Sequence, residues 1–205
     1  MSTHEAGTRP WKQQLASGHR PVQDALTVEH ERSTVMRAWE ASIVVGLLQT
    51  ADYARHVFNA FVDLRETVRD VDDAVQARMQ RQELLDRPDK QYHVLMSESV
   101  LRAQLCPPGV MAAQLDRLSD ATALDTFSLS IIPFEASLAL PPANGFWMHD
   151  ERLVIVEDWH AELWLDQPDD IALYRRVWDT LSGSAVFGED ARKVITRCRK
   201  ALGSV

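Results

Sequence analysis

Cysteine is nearly absent from the 205-residue sequence: Cys106 and Cys198 stand far apart and without metal-ligand spacing. They outline neither a disulfide framework nor a thiolate metal site. Long apolar runs are missing too, since none approaches the roughly 20 residues needed to cross a bilayer. The opening segment, MSTHEAGTRPWKQQLASGHRP, has basic residues but no apolar stretch of the kind a signal peptide carries. A cytoplasmic location and no membrane partner are therefore expected. The motifs of common chemistries are lacking as well: no Gly-rich phosphate loop, no His-Glu-x-x-His, no Cys-x-x-Cys and no Gly-x-Ser-x-Gly. The histidines, at 4, 19, 30, 56, 93, 149 and 160, form no close pair, so neither a metal nor another cofactor is expected.

Positive charge is scarce where the sequence turns strand-rich. The formal net charge is −8, and from Asp120 to Tyr174 eleven acidic residues face the single Arg152. Such a balance repels phosphate backbones and argues against nucleic acid on that surface. The basic cluster RKVITRCRK, Arg192 to Lys200, reads as a solvated C-terminal helix whose cations suit the helix dipole, with nucleic-acid contact as the alternative.

What is present suffices for one core. Hydrophobic residues make up 45% of the chain, an ordinary globular content at this length. Residues 1–27 hold Pro10, Pro21 and two glycines with little periodicity, and read as a flexible arm ahead of a single domain over 28–205. Val28, Val35, Met36 and Trp39 recur at helical spacing, as do Leu47, Leu48, Ala51, Ala54, Val57, Phe58 and Phe61, with Gly46 as a break between them. A third helix fits Asp70 to Asp86. YHVLMS reads as a strand, ESVLRAQL as a helical turn or two, and the segment opening at PPG as another helix. FSLSIIPF, GFWMHD, RLVIVED and AELWLD read as further strands, and PDDIALYRRVWDTLSGS as a helix with acids in its first turn. The expected fold is α+β, a mixed sheet of about five short strands packed with helices at both chain ends.

Candidate functional groups are polar or aromatic residues set among apolar neighbours. Glu98 and Arg102 stand four apart, positioned for an ion pair on a short helix. Glu157, Trp159 and His160 fall at a strand end and turn, where binding groups often sit. Trp39, Trp147, Trp159, Trp164 and Trp178 could wall a pocket for a flat ligand or simply pack in the core. The stretch RAWEASIVVGLLQTADYARHVF adds Arg37, Trp39, Glu40, Gln49 and Tyr53.

That stretch, with the preceding ERSTVM, resembles the C-terminal domain of WhiJ-type, antitoxin-like transcriptional regulators of actinobacteria. The likeness continues through RMQRQELL, LMSESVLR, IIPF and VIVEDWHAELWLDQPDDIALYRRVWDTL, and spans roughly residues 28 to 200. It departs where Ala41 and Val45 replace prolines usual in the family. A helix-turn-helix ahead of this region is usual there, whereas here the segment is the short arm, so direct sequence-specific DNA binding is not expected. The resemblance implies a regulatory sensor or interaction module that takes a small molecule or a small protein partner, with a homodimer left open. On that reading Arg37, Trp39, Glu40, Gln49, Tyr53, Arg102, Trp147 and Trp159 are the candidate ligand-binding residues. The alternative is an enzyme of specialised metabolism recruited from the same pocket, with Glu98, Glu157 and His160 as its catalytic groups and acid-base chemistry as its mechanism.

Overall fold

The computed structural model describes residues 6–203. Strand β1 (Gly7–Pro10), the short helix α1 (Trp11–Gln14) and α2 (Arg20–Arg32) precede β2 (Val35–Glu40). Helices α3 (Ala51–Arg65) and α4 (Val71–Arg81) lead to β3 (Gln91–Ser97), then α5 (Glu98–Arg102) and α6 (Pro108–Ala121) to β4 (Phe127–Ile132). A meander follows, β5 (Phe146–His149), β6 (Leu153–Glu157) and β7 (Ala161–Leu165), and the chain closes with α7 (Pro168–Ser182), β8 (Val186–Phe187) and α8 (Gly188–Leu202). The strands form one open mixed sheet in the order β1-β7-β6-β5-β2-β3-β4-β8. The β2, β3 and β4 neighbours run parallel, and every other pairing is antiparallel. The α+β class and single domain match the expectation, but among the described residues eight strands replace the expected five.

The five expected strands are β3 to β7; β1, β2 and β8 are the additions. The expected helix through Trp39 is corrected to a helix followed by a central strand. Helix α2 stops at Arg32, Ser33 turns extended, and its hydroxyl donates to the Glu29 carbonyl at 2.7 Å. Asp150 then accepts from the amides of Thr34 and Val35 at 3.0 and 2.8 Å and fixes the start of β2. Strand β2 is enclosed between β3 and β5 and packs on both faces, with Met36 and Ala38 on one side and Trp39 on the other. A strand buried on both faces loses its polar alternation, so its apolar residues fit a helical period as well as a strand period.

The segment expected to be a flexible arm contains β1, α1 and half of α2; residues 1–5 lie outside the described residues. Its order comes from distant partners. Trp11 is buried, its indole N–H donates to the Asp158 carbonyl at 2.7 Å, and its backbone amide donates to His160 O at 3.0 Å. The N-terminus of α2 is capped from outside by Asp70, which accepts from the amides of His19 and Arg20 at 2.8 and 2.7 Å. Gly18 has φ +97°, and a Cβ there would stand 2.3 Å from Asp70 Oδ2, so both backbone and space demand glycine.

Two cores flank the sheet. Met36, Ala38, Tyr92, Val94, Met96 and Leu129 pack on one face with Leu115 and Leu118 of α6 and Ile195 of α8. Trp39, Leu95, Phe146, Met148 and Val154 pack on the other face against Ile171 and Leu181 of α7. Helix α4 packs on α2 and α3, over the antiparallel half of the sheet.

Asp70→Ala removes the only side chain accepting from these two amides in the hydrogen-bond pattern described, and should lower stability by about 1 to 2 kcal/mol, the cost of losing a helix cap. Urea unfolding at neutral pH measures it; an unchanged midpoint would show that solvent caps α2 equally well.

Candidate functional site

Strand register determines which side chains share a face. Ala38 pairs with Trp147, Trp147 with Ile155, and Ile155 with Trp164. Alternation carries the same face to Glu40, His149, Glu157 and Glu162. Over this acidic and aromatic floor lies a cavity of about 440 Å³. Its roof comes from helices: Trp11 of α1, His19 just ahead of α2, Gln23 and His30 of α2, Phe58, Phe61 and Arg65 of α3, and Arg78 and Arg81 of α4.

The roof arginines have neutral partners. Arg78 Nε donates to Gln23 Oε1 at 3.1 Å and its Nη1 to Gln49 Oε1, while its guanidinium lies 4.2 Å from the centre of the Phe58 ring. Arg81 Nη1 donates to the Gln23 carbonyl at 3.2 Å. Arg65 lies 4.5 Å from the ring centres of both Trp11 and Phe61 and reaches the Trp159 carbonyl at 3.4 Å. Small residues allow these approaches: a Cβ on Gly46 would come 3.4 Å from Arg81 Nη2, and one on Gly145 would come 2.8 Å from Glu40 Oε2.

The floor carboxyls are held toward their neutral forms. Burial, and then the charge of Glu157, push Glu40 up to about 8, against a hydrogen bond from the Trp147 side chain. Burial and then Glu157, its direct cross-strand neighbour, push Glu162 up to about 7. Glu157 is itself raised by burial, though Arg78, Arg65 and Arg81 pull it back. Its side chain lies deep in the molecule yet has substantial accessible surface, because it borders the cavity instead of packing against neighbours. Burial lowers Arg78 to about 10 and Arg81 to about 9, so both stay cationic at neutral pH. Burial also holds His149 at about 3 and His30 well below its usual value, leaving neutral imidazoles.

Among the described residues, no ion pair within 4 Å involves Arg65, Arg78, Arg81, Glu40, Glu157 or Glu162. Buried polar atoms without a hydrogen bond gather here: His19 Nε2, His30 Nδ1, Arg65 Nε, Arg81 Nε, His149 Nε2 and Glu162 Oε1. Such atoms are rare in native proteins and each calls for a cause. No group of three or more metal-ligating side chains occurs among the described residues.

A family model described as "Domain of unknown function (DUF5753)" matches residues 22–197. The chain belongs to this family. No curated protein matches it. Among solved structures it is similar to TrmBL2, an archaeal chromatin protein whose structure "shows a novel mode of DNA binding", at 13% identity and a TM-score of 0.46. That similarity covers 91% of this chain and 54% of TrmBL2, so the chain spans about half the length of that protein. NucT from Helicobacter pylori is similar at 8% identity and a TM-score of 0.48, over 90% of this chain and 99% of NucT. Neither likeness carries an argument about function. The matched DUF5753 segment begins inside α2, so Trp11 and His19 lie ahead of it.

Of the residues singled out from the sequence, the cavity of this DUF5753 domain gathers Glu40, Gln49, Trp147, Glu157 and Trp159. The others lie elsewhere. Arg37 sits 3.9 Å from Glu151, and Trp39 is buried on the opposite face of the sheet, donating to the Ala143 carbonyl at 3.3 Å. Tyr53 is core, its hydroxyl accepting from the Val44 amide at 3.3 Å. His160 is an exposed turn residue. Glu98 and Arg102 do pair, at 2.7 and 2.9 Å, but in a separate place where Glu98 also takes Arg197 at 2.9 Å and the Phe134 amide at 3.1 Å. Sequence reading missed Arg78, Arg81, His149, His30 and Glu162. A signal existed in α4, whose buried stripe Val71, Ala74, Val75 continues at helical spacing to Arg78.

Burial would raise Glu98, but the Phe134 amide, Arg102 and Arg197 outweigh it and hold the carboxyl below its ordinary value. Its contribution is thus present above the unfolded value and lost as pH falls through the lower folded one. Glu98→Gln should cost about 1 to 3 kcal/mol at neutral pH, and the urea midpoints of the two proteins should converge on acidification. Glu40 has the opposite sign: the folded protein holds its proton more tightly, so the stabilisation is complete below 4.5 and fades as pH rises to about 8. Glu40→Gln should therefore gain melting temperature relative to the parent over that interval, and parallel melting curves across it would contradict the assignment.

Proposed function

We propose that this DUF5753 domain is a regulatory sensor that takes a small molecule into the cavity between α2, α3, α4 and the antiparallel half of the sheet. The observation that carries this reading is the cavity's incomplete polar lining, with several buried donor and acceptor atoms that no protein group among the described residues satisfies. Leaving such groups unmet is costly, and a ligand offers the missing partners. A partly apolar enclosure with a few converging polar groups is the usual form of a small-molecule site. The resemblance to WhiJ-type regulators supports the same assignment. The sensor would report ligand occupancy to a protein partner, since the acidic surface disfavours direct, sequence-specific contact with DNA.

One observation favours a second reading, acid-base catalysis in specialised metabolism. Burial pushes Glu40 up to about 8 and also raises Glu157, and a carboxyl that titrates near neutral pH is suited to proton transfer.

Thermal-shift and calorimetric screening of a metabolite panel, with mass spectrometry of the recovered compounds, separates the two readings. A sensor should bind a compound, return it unchanged, and lose about tenfold or more in affinity on Glu157→Ala. A new mass whose rate of appearance falls about 100-fold in Glu40→Gln would establish the enzyme instead. Failure of every compound to bind at the cavity would overturn both readings.

A further inference from the structure

The cavity keeps arginines and carboxyls on opposite walls. Arg78 and Arg81 hang from α4 in the roof, with only side-chain amides and a backbone carbonyl as acceptors. Glu40 and Glu157 stand at the ends of β2 and β6 in the floor. Both sets line one space, and neither closes an ion pair on the other within 4 Å. Arg65 and His19 add positive or polar character to the roof; Glu162, opposite Glu157 and influenced by Arg9, adds to the floor.

This separation restricts the chemistry of an occupant. A neutral molecule would leave the roof arginines without a charged partner. A simple anion would satisfy the arginines and leave the carboxyls without a cation, and a simple cation would answer the carboxyls while adding repulsion at the arginines. A molecule carrying both charges completes both walls. Phe58 and Phe61 above and Trp147 below supply aromatic surface between them. A volume of about 440 Å³ leaves room for an amino acid with a ring, or for a short derivative of one.

We propose that the cavity binds a zwitterion of the α-amino-acid type with an aromatic side chain, its carboxylate received by Arg78 and Arg81 and its ammonium by Glu40 and Glu157. The planar forks of two arginines suit a carboxylate, which accepts at two oxygens. The ammonium is a compact charge that two carboxyls can share, and its arrival draws both toward their ionised forms. The ring lies among Phe58, Phe61 and Trp147. This proposal rests on the sensor reading's cavity but fails separately from it.

Calorimetry at neutral pH with four probes tests the proposal: L-tryptophan and L-phenylalanine as zwitterions, tryptamine as the amine alone, and indole-3-propionate as the acid alone. The parent protein, Glu157→Gln and Arg81→Lys are compared after circular dichroism has shown all three folded. L-tryptophan or L-phenylalanine should bind at least about tenfold more tightly than either single-charge analogue. Glu157→Gln should weaken the zwitterion and the amine by a similar factor while leaving the acid as tight or tighter; Arg81→Lys should weaken the zwitterion and the acid but not the amine. Equal or tighter binding of a single-charge analogue by the parent overturns the proposal, as does a loss in Glu157→Gln that falls equally on amine and acid. If no probe binds while another metabolite does, the zwitterion is wrong and the sensor stands. If nothing binds, both fall.

Discussion

Two guanidinium groups buried on α4, without an ion-pair partner within 4 Å among the described residues, impose the constraint that orders one half of the molecule. Burying a charge is expensive, and removing every partner from it more so. Here the cost is met with neutral oxygens: Gln23 gives Arg78 its side chain and Arg81 its carbonyl, and Gln49 gives Arg78 its amide oxygen. Gln49 is in turn held by donating to the Val44 carbonyl at 2.6 Å, while Gln82 donates to the Gln49 carbonyl at 2.6 Å. The turn at Gly46, the start of α3 and the length of α2 are thus all tied to the placement of these two side chains.

The other end of the molecule treats buried charge differently. Glu98 is fully enclosed, and its two oxygens accept from Arg102, Arg197 and the Phe134 amide, so every bond of the group is made inside the protein. This cluster fastens α8 and the end of β4 to α5, and it leaves nothing for a ligand to add. The contrast separates a charge that is part of the scaffold from charges that await a partner. Both places bring carboxyls and arginines together, but Arg102 and Arg197 are exposed and paired, whereas Arg78 and Arg81 are buried without an ion-pair partner within 4 Å among the described residues.

Much of the fold was readable because local pattern and tertiary role agree there: β3 to β7, α6 and α7 have strand alternation or helical spacing that the burial respects. Strand β2 was not, since Met36, Ala38 and Trp39 pack on two faces and imitate a helix. Strand β1 and α1 were not, because Trp11 and Pro10 are ordered by β7 and the turn beyond β6, far away in sequence. For the site, Glu40, Gln49, Trp147, Glu157 and Trp159 were legible as polar or aromatic residues in apolar company. Glu98 was equally conspicuous, and sequence does not reveal that its partners are all internal. Arg78 and Arg81 were not singled out, because their burial depends on α2, which covers them from another part of the chain.

The cap that Asp70 places on α2 has a mechanical consequence. Asp70 immediately precedes α4, so the start of one helix is bolted to the start of the other, and a few residues on Gln23 ties α2 again to Arg78 and Arg81. The two helices therefore act as one stiff plate that resists being pried apart. The cavity is bordered at its rim by the stretch Pro142 to Gly145 and the turn at Asp158 and Trp159, which belong to no helix. Trp159, 73% exposed, stands at that rim.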